Sequence, residues 1–191
     1  MKNIPIGISN FIQLLHDDCI YVDKTKEILH LINNNILKNC KYSFFSRPRR
    51  FGKSLTLDTI ETLFTYGTEP YFKGTYIAGN NEDGTPRWNE PTYPVLRLDF
   101  SVIVANDIPT LRSNFITIIN EQCHKLGIEE FPVENKRIGD VLSAFTIRLN
   151  KTYVLLIDEY DAPLNALIDK NEAFEAVSEE LIVFYARIKE S

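Results

Sequence analysis

Gly52, Lys53 and Ser54 stand between an apolar run and a helical pattern, and this placement narrows the folds open to the chain. The run is Tyr42-Ser43-Phe44-Phe45, and the pattern begins near Leu55. A strand, a tight turn carrying Gly-Lys-Ser and a helix form the context of a phosphate-binding loop. Each residue type has a chemical reason. Gly52 lets the backbone approach an anion with no side chain in the way, and N–H groups at a helix start point at that anion. Lys53 brings positive charge to the β- and γ-phosphates of a nucleotide, and the Ser54 hydroxyl is a ligand for Mg²⁺. The expected nucleotide-contacting stretch is Arg49, Arg50, Phe51, Gly52, Lys53, Ser54 and Leu55. One position departs from the full motif: five residues before Gly52 it has glycine, and this chain has Arg47.

Gly-Lys-Ser/Thr alone arises by chance in roughly one chain in ten of this length. A basic turn capping a helix is therefore the plain alternative. Some hundred residues further on, Tyr153-Val154-Leu155-Leu156-Ile157 is a continuous apolar run ending in Asp158 and Glu159. Buried parallel strands read as such runs, and open α/β sheets bind ligands at the C-terminal ends of their strands. Asp158 is read as the Mg²⁺ residue, through water, and Glu159 as the general base that polarises the attacking water. The catalytic pair is thus Glu159 with Lys53, and the metal pair is Ser54 with Asp158. A strand simply leaving into a polar loop is the plain reading of Asp158-Glu159, but its combination with Gly52-Lys53-Ser54 favours the nucleotide site.

Composition supports a globular chain of one domain's length: 191 residues, 44% hydrophobic and 25% charged. A formal charge of −5 gives no general affinity for nucleic acid or anionic membrane. The run Arg47-Pro48-Arg49-Arg50 is the local exception, read as phosphate contact in preference to a solvated turn. No second basic cluster with interleaved aromatics supports a nucleic-acid face. Cys19, Cys40 and Cys123 have neither metal nor redox spacing. The start of the chain meets Asp17-Asp18 before any signal-like apolar core, and no stretch approaches the ~20 apolar residues of a membrane span. A cytoplasmic location is expected.

Along the chain, Ser9 is placed to cap a short helix with Phe11, Ile12 and Leu15 on one face. Asp23 caps a second with the stripe Ile28, Leu29, Ile32 and Ile36, and Asn39 is its stop. A strand over about 42–47 feeds the loop, and the next helix turns Leu57, Ile60 and Phe64 inward until Gly67. Asn81-Glu82-Asp83-Gly84-Thr85-Pro86 signals a turn, with Trp88 just beyond it either anchoring the excursion or stacking on adenine. A second strand covers 94–100. Asp107 and Pro109 open a long helix closed by Gly127, and two further apolar stripes run from Ile138 to Leu149 and from Phe174 to Ile188. Strand–helix alternation with long crossovers predicts a parallel α/β sheet with helices on both faces, and a phosphate site brings Lys53 and Asp158 to one sheet edge.

Four motifs together carry a family resemblance. They are Tyr21-Val22-Asp23-Lys24-Thr25, the stretch Ser46 to Leu55 around Gly52-Lys53-Ser54, Tyr93-Pro94-Val95-Leu96-Arg97-Leu98-Asp99-Phe100-Ser101, and Ile157-Asp158-Glu159-Tyr160-Asp161-Ala162-Pro163. In this order and spacing the chain resembles the predicted AAA-ATPase-like family of prokaryotes over nearly its whole length. That family commonly has a non-glycine residue at the Arg47 position. The resemblance implies ATP and Mg²⁺, with Lys53, Ser54 and Asp158 in the usual roles and Glu159 as base. Longer members often continue into a restriction-endonuclease-like nuclease domain. For Asp23 and Thr25 two readings stay open, a helix cap and a contact to the nucleotide base.

The expected fold class is therefore α/β: a P-loop NTPase with a three-layer αβα parallel sheet. Residues 1–191 form a single domain, with 1–40 as a helical lead-in and 41–191 as an incomplete nucleotide-binding core. Incompleteness is expected because one helix and no strand-like run follow Glu159, leaving the C-terminal strands of such a sheet unsupplied. On that basis the isolated chain is expected to associate with itself or a protein partner, to bind ATP and to turn it over slowly. The leading function is an ATP-binding module whose Mg²⁺-dependent hydrolysis drives a conformational change. The alternative is a degenerate nucleotide-binding or interaction scaffold without turnover, since Pro48 supplies no N–H to the loop. A small-molecule kinase is a third reading, disfavoured because no acceptor site or lid is visible and the Asp-Glu pair suits water activation.

Overall fold

The helix and strand patterns of the sequence resolve into two compact units, residues 1–95 and 96–191, in a computed structural model that describes residues 2–37, 42–46 and 51–190. Side chains 34–37 and 190 are not described, so Ile36 stands outside the account, as do Asn39, Cys40 and the run Arg47 to Arg50.

The first unit holds α1 (Phe11–His16), α2 (Thr25–Leu37) and α3 (Lys53–Tyr66), with α1 packed against α3. Asn10, not Ser9, caps α1, its side-chain oxygen accepting the Gln13 N–H at 2.8 Å. Phe11 and Leu14 are buried while Leu15 is exposed, because the Phe11 ring is held between Tyr21 at 5.0 Å and Phe72 at 4.9 Å. The inward face of α3 is more polar than its apolar stripe implies. Ile60 and Leu63 are buried with Asp58, Thr59 and Thr62, whereas Leu57 and Phe64 are only half-buried. Each polar member has a partner that makes burial tolerable. Thr59 and Thr62 donate to the Leu55 and Asp58 carbonyls of the preceding turn. Asp58 Oδ1 accepts the Phe11 N–H at 2.5 Å, so a carboxylate of α3 satisfies a donor at the start of α1. Residues 42–46 are not a strand, contrary to the reading of the apolar run. Tyr42 and Phe44 are exposed, which a central strand's continuous burial would not permit.

The excursion after α3 is tied down locally. An antiparallel bridge joins Asn80 and Pro86, and the Gly84 N–H donates to the Asn81 carbonyl, forming the expected turn. Trp88 is buried edge-on to Phe64 at 5.3 Å. It anchors the excursion onto α3.

The second unit begins within β1 (Val95–Asp99), which passes through a 3₁₀ turn (Phe100–Val102) into α4 (Ile108–Leu126) and α5 (Ile138–Leu149). Then follow β2 (Val154–Asp158), α6 (Ala162–Asn165) and α7 (Asn171–Glu190). β1 and β2 pair as a small parallel sheet, the one sheet among the described residues. The fold is mixed α/β. The α4 ends follow the expected capping chemistry: Asp107 accepts the Thr110 N–H at 2.7 Å, Pro109 lies in the first turn, and Gly127 closes the helix with φ 67°. Leu96, Leu98 and Phe100 turn into a core shared with Phe115, Phe145 and Phe184 of α4, α5 and α7. Arg97, between two fully buried leucines, alternates to the other side of the strand.

Two contacts fix the helices against one another. The Arg112 guanidinium meets Glu180 as a two-pronged pair, Nε to Oε1 at 3.0 Å and Nη2 to Oε2 at 2.8 Å. Glu180 Oε1 also accepts the Ile138 N–H at 3.0 Å, so one carboxylate of α7 joins α4 to the first turn of α5. At Gly139 a Cβ would lie 3.1 Å from Arg187 Cγ and 3.5 Å from Phe184 Cα, so glycine sets the closeness of α5 to α7. Gly139→Val is expected to lower unfolding free energy by about 1–3 kcal/mol through overpacking, read from the urea midpoint at constant slope. No helix among the described residues is long and apolar enough to cross a membrane.

Candidate functional site

The Gly-Lys-Ser motif sits at the start of α3. Gly52 is the N-cap residue in a left-handed conformation, φ 73° and ψ 28°. An added Cβ would meet nothing within 4 Å, so the position needs glycine for its backbone angles and not for space. The Gly52 carbonyl accepts the Thr56 N–H at 2.9 Å and its hydroxyl at 2.8 Å, which locks the first helical turn. Gly52 offers no side chain to cap the helix, and the first-turn N–H groups have no acceptor within their own helix. Their combined dipole favours an anion. Lys53 and Ser54 are the first two helical residues and Leu55 the third, all half-buried, while Phe51 is 61% exposed just ahead of them. Arg49 and Arg50 lie outside the described residues.

The helix carrying these residues is braced from behind. Tyr21 lies within hydrogen-bonding reach of Thr59, and burial raises its phenol pKa above the usual range. Asp23 Oδ1 accepts from the Thr25 N–H at 2.8 Å and its hydroxyl at 2.7 Å, the bonds of a cap at the start of α2. Its other oxygen accepts the Tyr76 N–H at 2.7 Å, and the Thr25 hydroxyl accepts the Ile77 N–H at 3.1 Å. The Asp23-Lys24-Thr25 motif thus fastens the 76–77 backbone to α2, and both of its polar side chains are spent on that task.

The Asp-Glu motif lies in the second unit, at the end of β2. Asp158 is 3% exposed. Its Oδ1 accepts the Glu159 N–H at 3.0 Å, and its Oδ2 lies 3.9 Å from Arg97 Nη2 on β1. Glu159 is half-buried with φ 48°, an uncommon left-handed angle for a non-glycine residue, and its carbonyl accepts the Ala162 N–H at 2.9 Å. The chain therefore turns sharply at Glu159, leaving Asp158 at the strand end and Glu159 on the turn. Strain of this kind clusters at functional positions. Tyr185 donates to the Tyr160 carbonyl at 3.3 Å, and burial beside Tyr160 and Asp161 holds its phenol far above the usual range.

No cluster of three metal-ligating His, Cys, Asp or Glu side chains occurs among the described residues. A nucleotide-borne Mg²⁺ needs fewer: one or two carboxylates or hydroxyls, the rest of its shell being phosphate and water. Ser54 and Asp158 each carry an oxygen donor of the hard kind that such an ion takes. Arg97 lies in the Tyr93–Ser101 motif with no chemical role assigned to it from the sequence, and the structure sets it beside Asp158. Its one sequence signal is a lone cation inside Val95-Leu96-Arg97-Leu98.

The chain belongs to the predicted AAA-ATPase family, whose model matches residues 5–191. It is 36% identical over 195 residues to a protein of Azotobacter chroococcum mcd 1 described as an uncharacterized protein in the vnfD 5′ region. That alignment takes in 100% of this chain and 35% of the relative, so the chain spans about a third of the relative's length. No solved structure matches the chain.

Proposed function

We propose that the chain is an ATP-binding module of the P-loop class, with the three-layer αβα fold of that class, which hydrolyses ATP with Mg²⁺ to change its own conformation or a partner's. The observation that carries this reading is the start of α3. There a left-handed Gly52 leads directly into Lys53 and Ser54 on a helix with no side-chain cap. That combination is built for phosphate. Arg49, Arg50 and Phe51 complete the nucleotide-contacting stretch with Leu55.

Lys53 neutralises charge on the β- and γ-phosphates, and the helix start holds the phosphate oxygens. Ser54 and Asp158 are the residues that would hold Mg²⁺, which would supply neutralisation of phosphate charge. Glu159 accepts the proton of the water that attacks the γ-phosphorus, and its fixed turn keeps the carboxylate beside the strand end. A cytoplasmic setting, rich in ATP and Mg²⁺, fits this chemistry, and a protein partner or a second copy is the natural recipient of the conformational change.

Lys53→Ala is expected to weaken Mg-ATP affinity by roughly tenfold to a hundredfold, because a charge-assisted phosphate contact contributes roughly 1.5–3 kcal/mol. Isothermal calorimetry with ATP and GTP on folded wild type and mutant makes the measurement. Equal affinities would remove the phosphate-loop assignment. Lys53-dependent binding without any turnover would favour a nucleotide-binding scaffold over a hydrolase.

A further inference from the structure

Arg97 occupies a costly position. It lies mid-strand on β1 between Leu96 and Leu98, both fully buried, and its side chain is 22% exposed. A guanidinium there is tolerated when a carboxylate compensates it, and Asp158 does so across the ladder, with Nη2 and Oδ2 3.9 Å apart. Asp158 is the more buried of the two. Its carboxylate is addressed from two directions, by the Glu159 N–H on Oδ1 and by Arg97 on Oδ2. The Glu159 hydrogen bond and the Arg97 ion pair thus bear on different oxygens of one carboxylate.

We infer that Arg97 is a positioning residue for Asp158: it holds the carboxylate aimed and charge-balanced in the metal-free chain, and thereby sets how much divalent cation is needed for nucleotide binding. This rests on the reading of Asp158 as the residue that meets Mg²⁺. The sign follows from electrostatics. A cation 3.9 Å from the carboxylate helps keep it oriented, but it repels a second cation arriving at the same group. Arg97 therefore stabilises the empty site and raises the metal concentration required to fill it. Asp158 does not depend on metal to remain folded in place.

The test follows binding of a fluorescent ATP analogue by anisotropy as Mg²⁺ is titrated, using wild type, Arg97→Gln, Arg97→Lys and Asp158→Asn. Each protein is also melted in EDTA without nucleotide. Arg97→Gln is expected to lower the Mg²⁺ concentration at half-maximal metal-dependent binding by about three- to tenfold, an attenuated effect because solvent and salt screen part of the charge. Arg97→Lys, which keeps the charge, is expected to stay near wild type. In EDTA, Arg97→Gln is expected to melt lower than wild type, and the loss should shrink when Asp158→Asn is already present. Arg97→Met serves as a second neutral variant of similar length should the glutamine protein not fold. An unchanged Mg²⁺ midpoint in the neutral variants, or melting losses that simply add, would overturn the inference. If wild type binds no nucleotide, or Asp158→Asn leaves the Mg²⁺ dependence intact, the ATPase reading itself falls and this inference falls with it.

Discussion

Glu159→Gln is expected to bind Mg-ATP with near wild-type affinity and to lose hydrolysis by about 10²–10⁴-fold, the usual effect of removing a general base. The amide keeps the size of the carboxylate but cannot accept the proton of an attacking water. The local frame should survive, because it is made by main-chain atoms. The Glu159 N–H donates to Asp158 Oδ1 and its carbonyl accepts from Ala162, and neither bond involves the substituted group. The left-handed angle of Glu159 is also a main-chain property, equally open to glutamine. Phosphate release under saturating ATP, beside a calorimetric affinity, separates the two quantities. Unaltered turnover in the mutant would take Glu159 out of the chemistry.

The second large effect concerns stability. Arg112→Met should leave Glu180 buried and without its guanidinium partner, at a cost of about 3 kcal/mol, the lower end of the range for breaking a buried pair. The lower end applies because Arg112 is 15% exposed and Glu180 keeps the Ile138 N–H. Acid should mimic the mutation. Burial alone pushes the Glu180 pKa up, but the bonds from Arg112 and Ile138 and the nearby positive charges outweigh it and hold the group below its ordinary value. A carboxylate lowered on folding stabilises fully above its unfolded pKa of roughly 4.3, and that contribution disappears as pH falls through the folded value. Urea midpoints of wild type are thus expected to drop below about pH 5, and those of Glu180→Gln to drop less steeply over the same interval. Parallel pH curves for the two proteins would exclude Glu180 as the source.

How much of this is legible in the sequence depends on how far each interaction reaches. The ends of α4 can be read because Asp107, Pro109 and Gly127 act within a turn of themselves. The stripes of α5 and α7 can be read because apolar spacing needs no knowledge of a partner, and Phe145, Val177, Leu181 and Phe184 are buried as that spacing requires. The Tyr42-Ser43-Phe44-Phe45 run misleads because a short apolar stretch carries no information about whether anything covers it. Asp58, Thr59 and Thr62 look like the solvent side of a helix. They are inside because Asp58 meets a donor 47 residues away in sequence and the threonines satisfy themselves on their own helix. The same holds at the candidate site. Gly52-Lys53-Ser54 and Asp158-Glu159 announce themselves as contiguous motifs, whereas the pairing of Arg97 with Asp158 is created by two strands lying side by side and leaves only an odd cation in an apolar run.

The bond from the Phe11 N–H to Asp58 has a mechanical consequence. Helix α1 begins on a carboxylate that belongs to α3, and the Asn10 amide donates to the same carboxylate at 3.3 Å. Moving either helix off the other would break both bonds and leave the buried Phe11 N–H without this acceptor, a cost of about 1–3 kcal/mol. The two helices therefore travel as one piece. The Asn3–Cys19 bridge joins the two ends of the stretch that contains α1, so Asn3 is tied to the same piece. The stretch from Asn3 to Cys19 is thereby anchored to the helix that begins at Lys53.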